Sequence, residues 1–156
     1  YPTQSALGNL AVLIQMGGAD RKVREQDEVN ALRRFGVAER HLSCALWLTP
    51  AEVSLAVCLA SALLRGVRVL ILDDPTSGLD SRSISKFADS LRIFREASTT
   101  VLLATSDVLL ASQVAGTVGV LKDGEKVAER GRTQLLGQNL ADLFADYVGR
   151  TEGGSL

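Results

Sequence analysis

Asp73 and Asp74 stand side by side, behind the apolar run Val69-Leu70-Ile71-Leu72 and ahead of Pro75-Thr76-Ser77-Gly78-Leu79-Asp80. Paired carboxylates of this kind can hold a hydrated Mg²⁺ and polarise a water, which is what phosphoryl transfer asks of acidic side chains. Two adjacent Asp can equally be a strand end running into a solvated turn, and adjacency alone does not choose. Four apolar residues without alternation suit a parallel strand buried on both faces. In open α/β sheets, ligands sit just beyond the carboxyl ends of such strands. Little else in the chain has reactive potential. His41 is the only histidine and reads as structural, while Cys44 and Cys58 read as reduced thiols with no zinc or disulfide framework around them.

The 156 residues allow about one domain. A hydrophobic fraction of 46% with 22% charged residues excludes a disordered chain. Net charge is -1, the basic residues do not cluster and aromatics make up 4%, so no nucleic-acid partner is expected. The uncharged stretches 53–64 and 108–121 fall short of the ~18 apolar residues of a membrane span. No charged segment precedes an apolar run at the start, as a signal peptide would require. The chain opens on Tyr1 rather than Met, and the beginning of the fold is expected to lie before it.

The elements that must position the acidic pair follow from local signals. Ser5 is an N-cap for a helix whose Leu7, Leu10, Ala11 and Ile14 share one face, ended by Gly17-Gly18. Residues 19–35 read as a charged helix with Val29, Leu32 and Phe35 inward and Gly36 closing it. In Thr49-Pro50-Ala51-Glu52, Thr49 is expected to cap, Pro50 to take the first helical position and Glu52 to complete a capping box. The helix after it, to about residue 64, is apolar nearly all round and so buried. Beyond the acidic turn, residues 81–97 carry Ile84, Phe87, Ala88, Leu91 and Phe94 at helical spacing. Residues 100–104 form the next buried strand, and Asp123-Gly124 joins two strands of a hairpin. Residues 134–148 give one or two helices, and 151–156 a frayed tail. Strands alternating with helices imply an α/β fold with a parallel sheet.

Residues 69–80 closely resemble the Walker B motif and D-loop of the ABC-transporter ATPases, written as apolar residues followed by D-E-P-T-S-G-L-D. The opening Tyr1-Pro2-Thr3-Gln4-Ser5-Ala6-Leu7-Gly8-Asn9-Leu10 is similar to that family's Y-P-x-L-T-V-R-E-N-L, and residues 121–130 to its L-K-D-G-x-x-V-A-E-G. The likeness runs from Tyr1 to about residue 149. It implies a P-loop NTPase-like parallel sheet, present here as its C-terminal part, with an α-helical subdomain. Residues 1–66 would be that subdomain, 67–150 the C-terminal part of the ATPase core and 151–156 a tail. Gln4 is not the family's Q-loop glutamine, which would precede Tyr1.

The resemblance also assigns roles. Asp73 would order Mg²⁺ through water, and Asp74 takes the place of the glutamate general base, one methylene shorter in reach. Ser106 stands where the family's T-H-D histidine contacts the γ-phosphate. Thr49 keeps a hydroxyl at the place of the L-S-G-G-Q signature, and Ser77, Gly78 and Asp80 belong to the D-loop, with Asp80 at the dimer interface. The departures are as informative. At the signature the glycines are gone, Pro50 removes a donor, Glu52 adds negative charge, and the spacing to Asp73 is one residue longer. No G-x-x-x-x-G-K-[ST] occurs, so the cradle for the β- and γ-phosphates is missing from these residues. Two readings follow. One is an ATP-binding subunit or fragment of an ABC transporter, using ATP and Mg²⁺, with weakened or lost hydrolysis. It would pair with a second nucleotide-binding domain and a transmembrane subunit at the cytoplasmic face of the membrane. The other is a non-hydrolysing scaffold or regulatory subunit that supports a partner ATPase.

Overall fold

Ser5 turns the chain into its first helix. Its hydroxyl accepts the Gly8 backbone N–H at 3.0 Å, and α1 runs Ala6–Met16 with Gly17 at its end. The computed structural model describes residues 1–17, 23–135 and 140–148, which fall into two units, Tyr1–Ala104 and Thr105–Leu156. Gly18 and residues 19–22 of the expected charged helix lie outside the described residues.

In the first unit, α2 spans Glu25–Arg34 and α3 Glu39–Leu42, followed by a 3-10 turn Leu46–Leu48 and by α4, Ala51–Leu64. Leu10 and Ile14 of α1, Leu32 of α2, Leu42 of α3 and Val53, Val57 and Ala60 of α4 close one apolar core. Asn9 is the polar member of the buried face of α1. Its amide donates to the carbonyls of Tyr1, Gln4 and Ser5, which fastens the opening segment to the helix. Phe35 leaves α2 and stacks on Phe94 with ring centroids 5.8 Å apart.

β1, Val69–Asp73, pairs in parallel with β2, Thr100–Ala104, in the register Val69↔Thr100 through Asp73↔Ala104. The connecting helix α5, Ser81–Glu96, buries Phe87, Leu91 and Phe94 and packs on β2. Here the structure departs from the sequence expectation. Neither strand is buried on both faces: Val69, Ile71 and Leu102 are 57%, 69% and 61% exposed, while Leu70, Leu72, Val101 and Leu103 are half-buried. Paired residues of a parallel ladder point the same way, so the two strands share one covered and one bare face. The physical reason is a single covering layer, since α5 lies on one side only.

The second unit holds α6 (Val108–Val114), β3 (Thr117–Lys122), β4 (Glu125–Gly131), α7 (Arg132–Leu135) and α8 (Leu140–Val148). β3 and β4 form the expected antiparallel hairpin, with an irregular register between Val120 and Leu121. Asp123 and Gly124 both take positive φ, +50° and +82°, as a two-residue hairpin turn demands. Among the described residues of this unit, Leu110, Val120, Ala128 and Leu140 are buried and apolar. The residues between α7 and α8, and the tail from 149 onward, lie outside the described residues.

Candidate functional site

The acidic segment leaves the end of β1 and is folded by its own backbone. The Asp74 N–H donates to the Ala104 carbonyl at 2.9 Å, which sets the turn beside the end of β2. Ser77 N–H then donates to the Asp74 carbonyl, and Leu79 N–H to that of Thr76, making two successive tight turns. Asp74 adopts φ +39° and Gly78 φ +78°. Aspartate is among the side chains that tolerate the left-handed region, because its short polar group can bond locally. Gly78 has nothing within 4 Å of where a Cβ would sit, so its requirement is purely conformational. Thr76 is buried, whereas Asp73, Asp74, Ser77, Gly78 and Asp80 are exposed. The structure thus gathers five of the sequence-derived residues on one turn, with both carboxylates of the acidic pair open to solvent.

Asp80 does more than its sequence-derived role suggested. Its Oδ1 accepts the Ser83 N–H at 2.7 Å, so it is the N-cap of α5. Hydrogen bonding from the Ser83 backbone holds the Asp80 carboxyl below the usual carboxylate range. An Asp directly before an apolar-periodic run was the signal available for this.

Thr49 is a correction. It does not cap α4: Pro50, extended at φ -56° and ψ 150°, occupies the cap position, and no side chain bonds there. The Thr49 hydroxyl instead donates to the Leu46 carbonyl at 2.8 Å. The preceding 3-10 turn leaves that carbonyl within reach, and Thr49 closes it, which shifts the helix start one residue onward. Glu52 lies in the first turn of α4, where a carboxylate suits the helix dipole. Pro50 and Glu52 share a cleft of about 160 Å³ with Leu79, Ser83, Lys86 and Phe87. So the start of α4 and the acidic turn border one space within the first unit, with a carboxylate on its wall.

Ser106 belongs to the second unit and is exposed. Its neighbours build a helix start that sequence reasoning missed. Asp107 Oδ1 accepts the Leu110 N–H at 2.9 Å and caps α6, while Thr105 Oγ1 accepts the Asp107 N–H at 3.0 Å. Among the described residues no group of three or more His, Cys, Asp or Glu is placed to hold a metal ion. Asp73 could therefore anchor a cation only with water completing its shell. No described helix is long and apolar enough to cross a membrane.

No protein-family model matches the chain. It is 34% identical over 132 residues to the macrolide export ATP-binding/permease protein MacB 2 of Yersinia pestis bv. Antiqua (strain Antiqua), covering 82% of this chain and 19% of that protein. It is 32% identical over 136 residues to the methionine import ATP-binding protein MetN of Rhizobium meliloti (strain 1021), covering 84% of this chain and 36% of that one. The chain thus spans about a fifth of the length of MacB 2 and about a third of that of MetN. Among solved structures, the ATP-binding cassette MJ0796 bound to ADP and Pi superposes with a TM-score of 0.71 at 24% identity, over 84% of this chain and 58% of that one. The cbiO1 structure from Clostridium perfringens, part of the transporter complex cbiONQ, gives 0.66 at 26% identity over 93% and 55%.

Proposed function

Because the chain belongs to the ATP-binding domain family of ABC transporters, of which it holds a portion, we propose that it is part of an ATP-binding subunit that couples ATP to transport, with hydrolysis weakened or lost. The observation that carries this reading is the acidic turn. Asp73 ends β1 exposed, Asp74 is held beside the end of β2, and Gly78 and Asp80 complete the same turn into α5. In this reading residues 1–66 are the helical subdomain with an altered signature helix, 67–150 the C-terminal part of the ATPase core and 151–156 a tail. Its partners are a second nucleotide-binding domain and a transmembrane transporter subunit, with no nucleic acid, at the cytoplasmic face of the membrane.

The residues present fit one of the two groups the reading implies. Asp73 can hold Mg²⁺ through water, and the ion would supply charge neutralisation to a bound phosphate. The triphosphate does not fit. The sequence has no glycine-rich cradle, the Thr49 hydroxyl is already committed to Leu46, and Glu52 sets a negative charge where phosphate charge would have to approach. No hydrolytic step therefore runs on these residues alone. The committed Thr49 hydroxyl and the Glu52 charge, rather than the missing cradle, are what speak for the second reading, a non-hydrolysing subunit that supports a partner ATPase.

Phosphate release separates the two. The protein to assay carries, ahead of Tyr1, the MacB 2 segment that precedes its matching 132 residues. Asp74→Glu restores reach and Ser106→His restores a γ-phosphate contact, and both act on one reaction, so their effects are not additive. The pair is expected to raise turnover by more than the product of the singles, and Asp73→Asn to abolish the gain. Turnover of about 1 s⁻¹ or faster in the unmodified fusion would show Asp74 to be an adequate base and overturn the weakened-hydrolysis reading. A double variant that binds nucleotide but stays inactive would place the fault at residues 49–52.

A further inference from the structure

The cleft between the start of α4 and α5 is left unused by the chemistry of the acidic turn. Its walls all belong to the first unit: the turn after α2, then α3, α4 and α5. Its volume of about 160 Å³ equals the share of liquid taken by about five waters. Val53, Ala56, Leu59 and Phe87 give it a buried apolar floor, and Phe35 adds a half-buried ring.

The charges on its walls lack partners. Glu52 is half-buried, yet among the described residues its carboxylate makes no hydrogen bond and no ion pair. Taking a charge partly out of water costs free energy unless an opposite charge or a donor meets it. Lys86 carries an exposed ammonium in no ion pair among the described residues, although its charge acts on Asp80 from a distance. Arg40 is the second cation, held by its Nε on His41 Nε2 at 3.2 Å. The hydroxyls are already spent, that of Ser83 on Asp80 and that of Ser90 on the Lys86 carbonyl. What the cleft offers is one carboxylate, two cations and an apolar floor.

We propose that this cleft binds a small zwitterion with an apolar side chain, of the free α-amino acid class. The ammonium of such a molecule would meet Glu52, and its carboxylate would meet Lys86 and Arg40. Its side chain would lie on Val53, Leu59 and Phe87. A plain carboxylate leaves Glu52 facing a like charge, and a plain amine does the same to Lys86 and Arg40. A nucleotide is far larger than the space. Because α3, α4 and α5 all contribute, the bound molecule would tie the helices before β1 to the helix that follows the acidic turn. The proposal goes beyond the transporter reading and does not depend on it.

Thermal unfolding of this chain with L-leucine is the test. A ligand of about nine non-hydrogen atoms should bind with a dissociation constant on the order of 1 mM. At ~10 mM it should then raise the midpoint by about 3 °C. Each variant is compared with itself without ligand, so a change in its own stability does not enter. Lys86→Gln and Glu52→Gln should each cut the rise by at least half, since each removes a charge-assisted contact. Glu125→Gln, on the hairpin of the second unit, should leave it unchanged. Two probes dissect the ligand: 4-methylpentanoate lacks the ammonium, and 3-methylbutylamine lacks the carboxylate. Each should give less than about 1 °C at the same concentration. No rise with L-leucine, L-methionine or L-phenylalanine overturns the proposal. So does a rise that neither cleft variant reduces, because the amino acid then binds elsewhere. A rise given equally by 4-methylpentanoate overturns it too, since the site would then read a carboxylate alone. Nucleotide is absent from every sample, so failure here is distinct from failure of the hydrolysis reading.

Discussion

The helices α4 and α5 begin in opposite ways. α5 is started locally, by the Asp80 carboxylate on the Ser83 N–H. α4 has no side-chain hydrogen bond capping its first turn and has Pro50 at the cap position. What holds α4 is burial, through Val53, Ala56, Val57, Leu59 and Ala60. Both starts stand where the family resemblance sets groups that meet nucleotide. The difference teaches that the acidic turn keeps its shape from its own hydrogen bonds, while the segment from Thr49 to Glu52 is a packed structural joint. A locally specified turn can retain a function when its surroundings change. A helix start whose hydroxyl is spent on the preceding turn has no such group to offer.

Substitutions can break this comparison in graded steps. Leu59→Ala removes a side chain 2% exposed and should cost about 2–5 kcal/mol in denaturant unfolding, because α4 depends on burial. Gly78→Ala should cost about 1–2 kcal/mol by the same measurement, wholly from the backbone at φ +78°, since no atom lies near the added methyl.

Asp80→Asn gives a smaller, pH-dependent change. A depressed carboxylate stabilises above its unfolded pKa, and that stabilisation is lost as pH falls through the folded value. The midpoint difference from the unaltered chain should thus hold steady from about pH 5 to 7 and shrink below about pH 4. A difference that grows toward acid would contradict the cap. Smallest of all, Thr49→Val should cost about 0.5 kcal/mol, the low end for one hydrogen bond, because the Leu46 carbonyl keeps the Thr49 N–H. A loss near 1 kcal/mol or more, with helix content falling in circular dichroism, would mean that Thr49 caps α4 after all.

The parts legible in the sequence were those with local causes. β1 and β2 end where their apolar runs end, the Asp123-Gly124 turn carries its own backbone chemistry, and Ser5 caps as its type suggests. The start of α4 misled because Thr-Pro-x-Glu is a good capping pattern, and the 3-10 turn that takes the Thr49 hydroxyl has no signature of its own. The bare sheet face could not be read from Val69-Leu70-Ile71-Leu72, since such a run records what a strand is built to meet rather than what lies on it here. At Asp74, comparison with a glutamate position drew attention to reach, while the left-handed backbone gives a second reason for Asp. Asp107 was legible as a cap before an apolar stretch, but 108–121 holds a helix, a turn and a strand, and its length hid the first.

Isothermal titration of Mg-ATP into this chain tests the central claim most directly, that the positions proposed to face nucleotide do not by themselves hold a triphosphate. The account predicts a Kd weaker than about 10 μM, which corresponds to less than roughly 7 kcal/mol of binding free energy. A saturable isotherm with a Kd tighter than about 10 μM, lost on Asp73→Asn, would contradict it.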